Sequence, residues 1–252
     1  MSDQRASGLE RLWRREELER PPRLGLSLER TVQSAIEVAD EEGLAAVSMK
    51  RVAERLGFTT MAVYRYVASK DELLLLMQDT VATPPAGLDV LLETAGWRSG
   101  LVQWTRAQYE IVEAHPWLEE IRPFERTGTP SQLSWMDLGL RVLGATPLTE
   151  YQKLAVLLLL GGYVSTQARL ALTAVEGVRR GAFATTDEAT EAFGRLLSQV
   201  VTPDRFPALV RAVRGGAFAP REGPTYATFD FGLDLMLDGV DELIRRGAPS
   251  GS

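Results

Sequence analysis

The side chains whose types and spacing suit a definite chemistry lie between Ser48 and Lys70. Thr59 and Thr60 carry hydroxyls able to bond phosphate oxygens or base edges, Met61 and Ala62 offer apolar contact to a thymine methyl, and Arg65 suits guanine or a phosphate. Tyr64, Tyr66 and Lys70 suit phosphate oxygens, which position a protein on a duplex without reading its sequence. Ser48 and Lys50 complete the expected contact set. Charge agrees: between Leu44 and Lys70 stand Lys50, Arg51, Arg55, Arg65 and Lys70 against Glu54, a local positive excess in a chain of net charge -6. A basic patch on an acidic body suits a DNA reader whose body must stay off the duplex.

Side chains so spaced need a small helical unit to hold them, and local signals supply one. Ser27 is an N-cap before Val32, Ala35, Ile36 and Ala39, and Gly43 stops that helix. Ser48 caps a second helix carrying Val52, Ala53 and Leu56 up to Gly57; Thr59 or Thr60 then opens a short third helix reaching about Val67. Val52, Leu56, Phe58, Val63 and Val67 close its core, which turns Met61 and Arg65 farthest outward, with Ala62, Tyr64 and Tyr66 on the flanks. Two helices joined by such a turn form a helix-turn-helix, whose second helix enters the major groove. Ser69-Lys70-Asp71-Glu72 is a capping box in which Glu72 reaches back to the cap residue, and the helix it opens presents free amides to phosphate.

The run from Ser48 to Gly57, then Met61-Ala62-Val63-Tyr64-Arg65-Tyr66-Val67, then Ser69-Lys70-Asp71-Glu72-Leu73-Leu74, resembles the DNA-binding domain of the TetR family. The resemblance implies phosphate contacts from Tyr64 and Lys70 and base contacts from Thr60, Met61 and Ala62; Tyr66 departs from the pattern, since many members carry His there. It continues through Trp97-Arg98, His115-Pro116-Trp117-Leu118 and Phe229-Asp230-Phe231-Gly232-Leu233 into a domain similar to the tetracycline-repressor type, over residues 27 to 246. The family implies a homodimer, a palindromic double-stranded DNA operator and release by a small-molecule effector. Repression is the family default, with activation as the alternative.

The rest of the chain sets the frame. The 252 residues, 45% hydrophobic and 25% charged, are those of an ordinary globular protein with chain enough for two unequal units. No Cys and a single His exclude disulfides, thiol catalysis and the usual zinc sites, so neither metal nor other cofactor is expected. No signal peptide is legible at the N-terminus, and the apolar run Leu154 to Val164 is too short to span a bilayer; a cytoplasmic protein is expected, with no membrane partner.

The expected fold class is all-α: an N-terminal extension over 1–26, a three-helix reading domain with a connecting helix over 27–81, a break at Ala82 to Gly87, and a helical bundle over 88–247 that binds ligand and dimerises. In the extension, Leu9 to Leu18 is a short amphipathic stretch that reads as a mobile arm with a frayed helix, or, on the sharper reading, as a basic arm touching DNA through Arg14, Arg15 or Arg23. Helices are expected over Trp97 to Ala114, after Pro116, and over Ser131 to Leu143, Thr149 to Leu172, Asp187 to Val200, Asp204 to Val213 and Pro224 to Arg245. Trp104, Gln108, His115, Trp135, Tyr163 and Gln167 are the expected effector contacts, with Gln103 and Arg169 as further polar candidates. The wide apolar face of the last helix and Gly161-Gly162 on the Thr149 helix suit a four-helix dimer interface. An enzyme is the rival class, but Asp234 and Asp238 have neither nucleophile nor metal partner and read as solvated charge. A helical small-molecule binding protein is the other rival, disfavoured by the basic helix-turn-helix.

Overall fold

Four capped helices build the N-terminal part. Helix α1 (Leu28–Glu42) begins where the Ser27 hydroxyl accepts the Arg30 N–H, and buries Val32, Ala35, Ile36, Val38 and Ala39. After a 3₁₀ turn at Leu44–Ala46, helix α2 (Met49–Leu56) starts on Ser48 and ends on Gly57. Gly57 adopts φ 74°, a left-handed conformation costly for any residue with a Cβ, and this lets the Phe58 N–H reach back to the Ala53 carbonyl. Helix α3 (Thr60–Val63) is capped by Thr59 and is shorter than the sequence suggests: Tyr64 to Tyr66 continue as hydrogen-bonded turns, with Arg65 N–H on the Ala62 carbonyl and Tyr66 N–H on Val63. Helix α4 (Lys70–Val81) starts on Ser69, whose hydroxyl accepts the Glu72 N–H, and the Glu72 carboxylate accepts the Ala68 N–H. Val52, Val63 and Val67 are buried, while Leu56 and Phe58 sit half-buried at the rim.

The computed structural model describes residues 9–10, 12–13, 25–121, 128–179, 186–219 and 227–247, and no strand occurs among them. Beyond α4 follow α5 (Leu88–Thr94), α6 (Trp97–Ala114), a 3₁₀ turn at Pro116–Glu120, α7 (Pro130–Val142), α8 (Glu150–Arg179), α9 (Thr186–Val200), α10 (Pro207–Arg214) and α11 (Ala227–Gly247). Helix α5 is absent from the sequence reading, and α10 begins three residues later than expected, at Pro207 rather than Asp204. The chain divides into two compact units, Met1–Ser165 with Met236–Ser252, and Thr166–Leu235.

Within the first unit α4 is fastened to α7. Asp79, 7% exposed, accepts the Ser131 N–H at 2.8 Å through its carboxylate, and its carbonyl accepts the Ser131 hydroxyl at 2.8 Å. The carboxylate thus sits at the N-terminus of α7, where a negative charge is favoured. Thr129 and Gln132 form a second capping box there, the Gln132 side chain accepting the Gly128 N–H, which starts α7 one residue before the Ser131 expected. One turn on, the Trp135 indole N–H donates to the Ala82 carbonyl at 2.6 Å, and that of Trp104 on α6 donates to the Trp135 carbonyl at 2.8 Å. Close approach of α7 to α8 depends on Gly139, where a Cβ would lie 2.6 Å from Leu157. Arg98 on α6 pairs with Asp238 on α11 at 2.8 Å, so Asp238 is not merely solvated charge.

Asp79→Ala is expected to lower the unfolding free energy by about 1–3 kcal/mol, because a buried N–H loses its acceptor. Asp79→Asn, which keeps an oxygen acceptor, should cost less. Denaturant unfolding checks this, and equal costs for the two variants would contradict the capping role.

The second unit packs α9 against α10. Phe193 and Phe218 meet edge to face with ring centroids 5.5 Å apart, and Gly194 gives Phe218 the room to do so.

Candidate nucleic-acid interface

The outward face of the helix-turn-helix forms because Val63 and Val67 turn inward, leaving Met61 the most exposed residue of α3 at 74%. Thr59, Tyr64 and Arg65 are exposed, and Thr60, Ala62 and Tyr66 are half-buried, so all seven border one surface around α3. Thr59 also caps α3 through its side-chain oxygen, at 3.3 Å from the Ala62 nitrogen. Lys70 is exposed at the first turn of α4, beside the Ser69 cap. Ser48 likewise caps α2, and Lys50 projects outward with Glu54 3.7 Å away.

The charge count along the sequence overstates the positive field, because α1 supplies acids that the count does not see. The Arg51 Nε donates to Glu42 at 3.0 Å. Arg55 donates to Glu41 at 2.6 Å and to Glu37 at 3.2 Å. Two of the five cations are thus tied to α1, which fixes α2 on α1, and the outward cations are Lys50, Arg65 and Lys70. These pairs hold the acids ionised: hydrogen bonding to Arg55 keeps the Glu41 carboxyl below its usual range, and hydrogen bonding to Arg51 does the same for Glu42, each against a weaker opposing effect of burial.

A carboxylate whose folded-state pKa is lowered adds stability above its ordinary value, and that stability is lost as pH falls through the lowered one. Thermal unfolding of the helix-turn-helix should therefore shift downward as pH drops below 4.5. In a Glu41→Gln, Glu42→Gln double variant this acid limb should flatten; an unchanged limb would contradict the role of the pairs.

The expected effector contacts are placed more variously. Trp104 and Trp135 meet edge to face at 6.2 Å, both largely buried. The Gln108 amide donates to the Trp104 carbonyl on its own helix at 3.1 Å. His115 instead turns to the N-terminal helices: its Nδ1 lies 2.9 Å from the Asp40 carboxylate on α1, and the same oxygen accepts the Trp117 indole N–H at 2.7 Å. Tyr163 is half-buried on α8 in the first unit, whereas Gln167, also half-buried, belongs to the second. Gln103 on α6 has a buried side-chain oxygen with no hydrogen-bond donor.

Two clefts flank α5, of about 600 Å³ and about 680 Å³. None of the six expected effector contacts lines either cleft, and both lie beside the helix that the sequence reading lacks. Among the described residues, no group of three or more Asp, Glu or His could hold a metal ion.

Helix α8 carries two apolar faces. Val156, Leu157, Leu160 and Val164 are buried, while Tyr151, Leu158 and Leu159 are exposed at 82%, 66% and 55%. The run Leu154 to Val164 is thus buried on one side only. By length and composition alone, Glu150–Leu172 also meets the requirement for crossing a membrane.

Residues 32–77 match the family described as bacterial regulatory proteins, tetR family, and residues 91–244 match the tetracyclin repressor-like C-terminal domain. An HTH-type transcriptional repressor, DrrR1 of Streptomyces coeruleorubidus, is 36% identical over 233 residues, covering 90% of this chain and 83% of its own length. Among solved structures, Streptomyces coelicolor ActR in complex with actinorhodin superposes with a TM-score of 0.66 at 22% identity, over 91% of this chain and 100% of ActR. BioQ with its double-stranded DNA operator gives 0.55 at 19% identity, over 85% of this chain and 97% of BioQ. At such identities the two structures share the fold.

Proposed function

The chain belongs to the TetR family of bacterial transcriptional regulators, and from that premise we propose that it is a repressor released from a palindromic operator by a small organic effector. The observation that carries this reading is the surface around α3, where exposed Met61, Tyr64 and Arg65 and the capping hydroxyl of Thr59 adjoin on a unit built to present them. Thr60, Met61 and Ala62 lie against base edges, while Ser48, Lys50, Thr59, Tyr64, Arg65, Tyr66 and Lys70 bind phosphates or flank the reading residues. Residues 27–81 read DNA, and residues 88–247 sense the effector and dimerise. A dimer sets two α3 helices about 34 Å apart, so that both enter successive major grooves on one side of the duplex.

The effector site belongs to α6, α7 and α8. The buried Gln103 oxygen asks for a donor that a ligand N–H or O–H would supply. The ligands and DNA carried by ActR and BioQ support both halves of the reading. Release follows only as far as the effector prefers the conformation that cannot span both grooves.

The test compares substitutions on a DNA site selected from a random pool. Lys70→Ala and Tyr64→Phe are expected to weaken binding to every sequence alike, whereas Thr60→Val changes which bases are preferred. Identical, sequence-independent losses for all three would contradict this division of labour.

A further inference from the structure

Two of the five tryptophans bridge three helices of the first unit in series. The Trp104 indole N–H on α6 donates to the Trp135 carbonyl on α7 at 2.8 Å, and the Trp135 indole N–H donates to the Ala82 carbonyl at 2.6 Å. Ala82 is the C-cap of α4, the helix that follows the helix-turn-helix, so its carbonyl lies at a helix end where intrahelical donors run out. Both rings are buried, 3% and 6% exposed, and stand edge to face. Gly139 leaves room for the first of them, since a Cβ there would lie 3.1 Å from the Trp104 Nε1. One turn before Trp135, Ser131 bonds to Asp79 and meets the Thr83 hydroxyl at 3.1 Å, so two successive turns of α7 grip the end of α4.

The order of these contacts suits transmission. Gln103, the neighbour of Trp104 on α6, has the buried oxygen without a donor. Both indole N–H groups are engaged within the protein, which removes them from the hydrogen bonding open to an effector. When a buried N–H and carbonyl part, each is left unpaired away from water, and that cost opposes the separation. Helix α7 therefore cannot slide against α6 or α4 beyond the tolerance of a hydrogen bond without carrying its partners along. The positions of the expected DNA arm, Arg14, Arg15 and Arg23, lie outside the described residues, and the chain of contacts is independent of them.

We infer that Trp104 and Trp135 couple the effector site to the DNA-reading part: a displacement of α6 passes through α7 to the end of α4 and resets the orientation of the helix-turn-helix. Both are positioning residues that touch neither effector nor DNA. This deepens the repressor reading and rests on it. An effector bonded to Gln103 displaces α6, the Trp104 N–H draws the Trp135 carbonyl with it, and the Trp135 N–H draws Ala82. Without the indole bond to Ala82 the reading part takes a wider set of orientations, and apparent affinity falls with the competent fraction. Linkage is reciprocal, so operator DNA added to the full chain must act back on α6 through the same two rings.

The test labels the full chain with 5-fluorotryptophan, so that Trp13, Trp97, Trp104, Trp117 and Trp135 each give a fluorine resonance, assigned by changing each in turn to Phe. Adding the duplex selected from a random pool is expected to shift the Trp104 and Trp135 resonances. In Trp135→Phe, which keeps an aromatic ring and loses the N–H, the Trp104 resonance should no longer respond to DNA. Operator affinity should fall about 3- to 10-fold in that variant, the scale of one hydrogen bond. Trp104→Phe should lower affinity likewise, and the double variant no further than Trp135→Phe alone, because contacts in series are not additive. Trp97→Phe, at the start of α6, should keep wild-type affinity. A Trp104 resonance that still follows DNA in Trp135→Phe, or losses that add in the double variant, would overturn the coupling. Wild-type protein tests it without any variant: a selected site that binds while both resonances stay unmoved sinks the coupling alone. If wild-type protein enriches no DNA site, the DNA-binding reading fails and the coupling falls with it.

Discussion

Met61→Glu is expected to weaken operator binding by more than about 100-fold, equivalent to about 2.7 kcal/mol, while leaving the protein as stable as before. Met61 is 74% exposed, so the change removes no core contact, and surface substitutions of this kind usually stay within about 0.5 kcal/mol. At the duplex the same change loses an apolar contact and sets a carboxylate among phosphates, where like charges cost several kcal/mol. A symmetric dimer suffers this in both half-sites. Thermal unfolding and binding to the selected site, measured on the same preparation, separate the two effects. Binding within a few-fold of wild type would mean that the start of α3 does not face DNA.

Leu158→Glu should turn the proposed dimer into a monomer that remains folded. Leu158 and Leu159 lie exposed on α8 although a parallel set of side chains on the same helix is buried, an apolar face that a second copy of the chain would cover. In a two-fold interface each residue is used twice, so the leucine pair is worth roughly 3–6 kcal/mol of apolar burial. Two buried carboxylates would forfeit that and repel each other. Sedimentation or light scattering at micromolar concentration should show the mass halved, with operator affinity falling in parallel because a monomer holds only one half-site. A dimer that survives the change would place the interface elsewhere.

The helix-turn-helix was legible in the sequence because its signals are local. Ser27, Ser48, Thr59 and Ser69 each cap the helix they precede, and Gly43 and Gly57 take the positive φ that ends the one before. Where the signal was weak or distant, the reading departs from the structure. Helix α5 follows Gly87 in a left-handed conformation with no side-chain cap, and spans seven residues just past a Pro-Pro pair, so nothing nearby announces it. Tyr64 to Tyr66 keep the helical periodicity of their neighbours, which hides the change to tighter turns.

Pairings between helices are invisible to spacing. Arg51 and Arg55 count as part of a basic patch until α1 brings Glu37, Glu41 and Glu42 against them. Asp40 and Asp79 are inconspicuous in the chain yet receive, respectively, the His115-Trp117 turn and the first turn of α7. The proposed contact surface is different, since helix register already turns Met61 and Arg65 outward, and both are exposed in the structure.

The measurement that tests the central claim most directly is selection of bound sites from a random pool of duplex DNA, followed by affinity for the winning site across a salt series. A two-fold symmetric site is expected, with log affinity falling against log salt at a slope of about −5, since Lys50, Arg65 and Lys70 from two protomers neutralise roughly six phosphates. No enriched sequence, after unfolding and refolding to strip any bound effector, together with a slope near zero, would contradict the reading of this chain as a DNA-binding regulator.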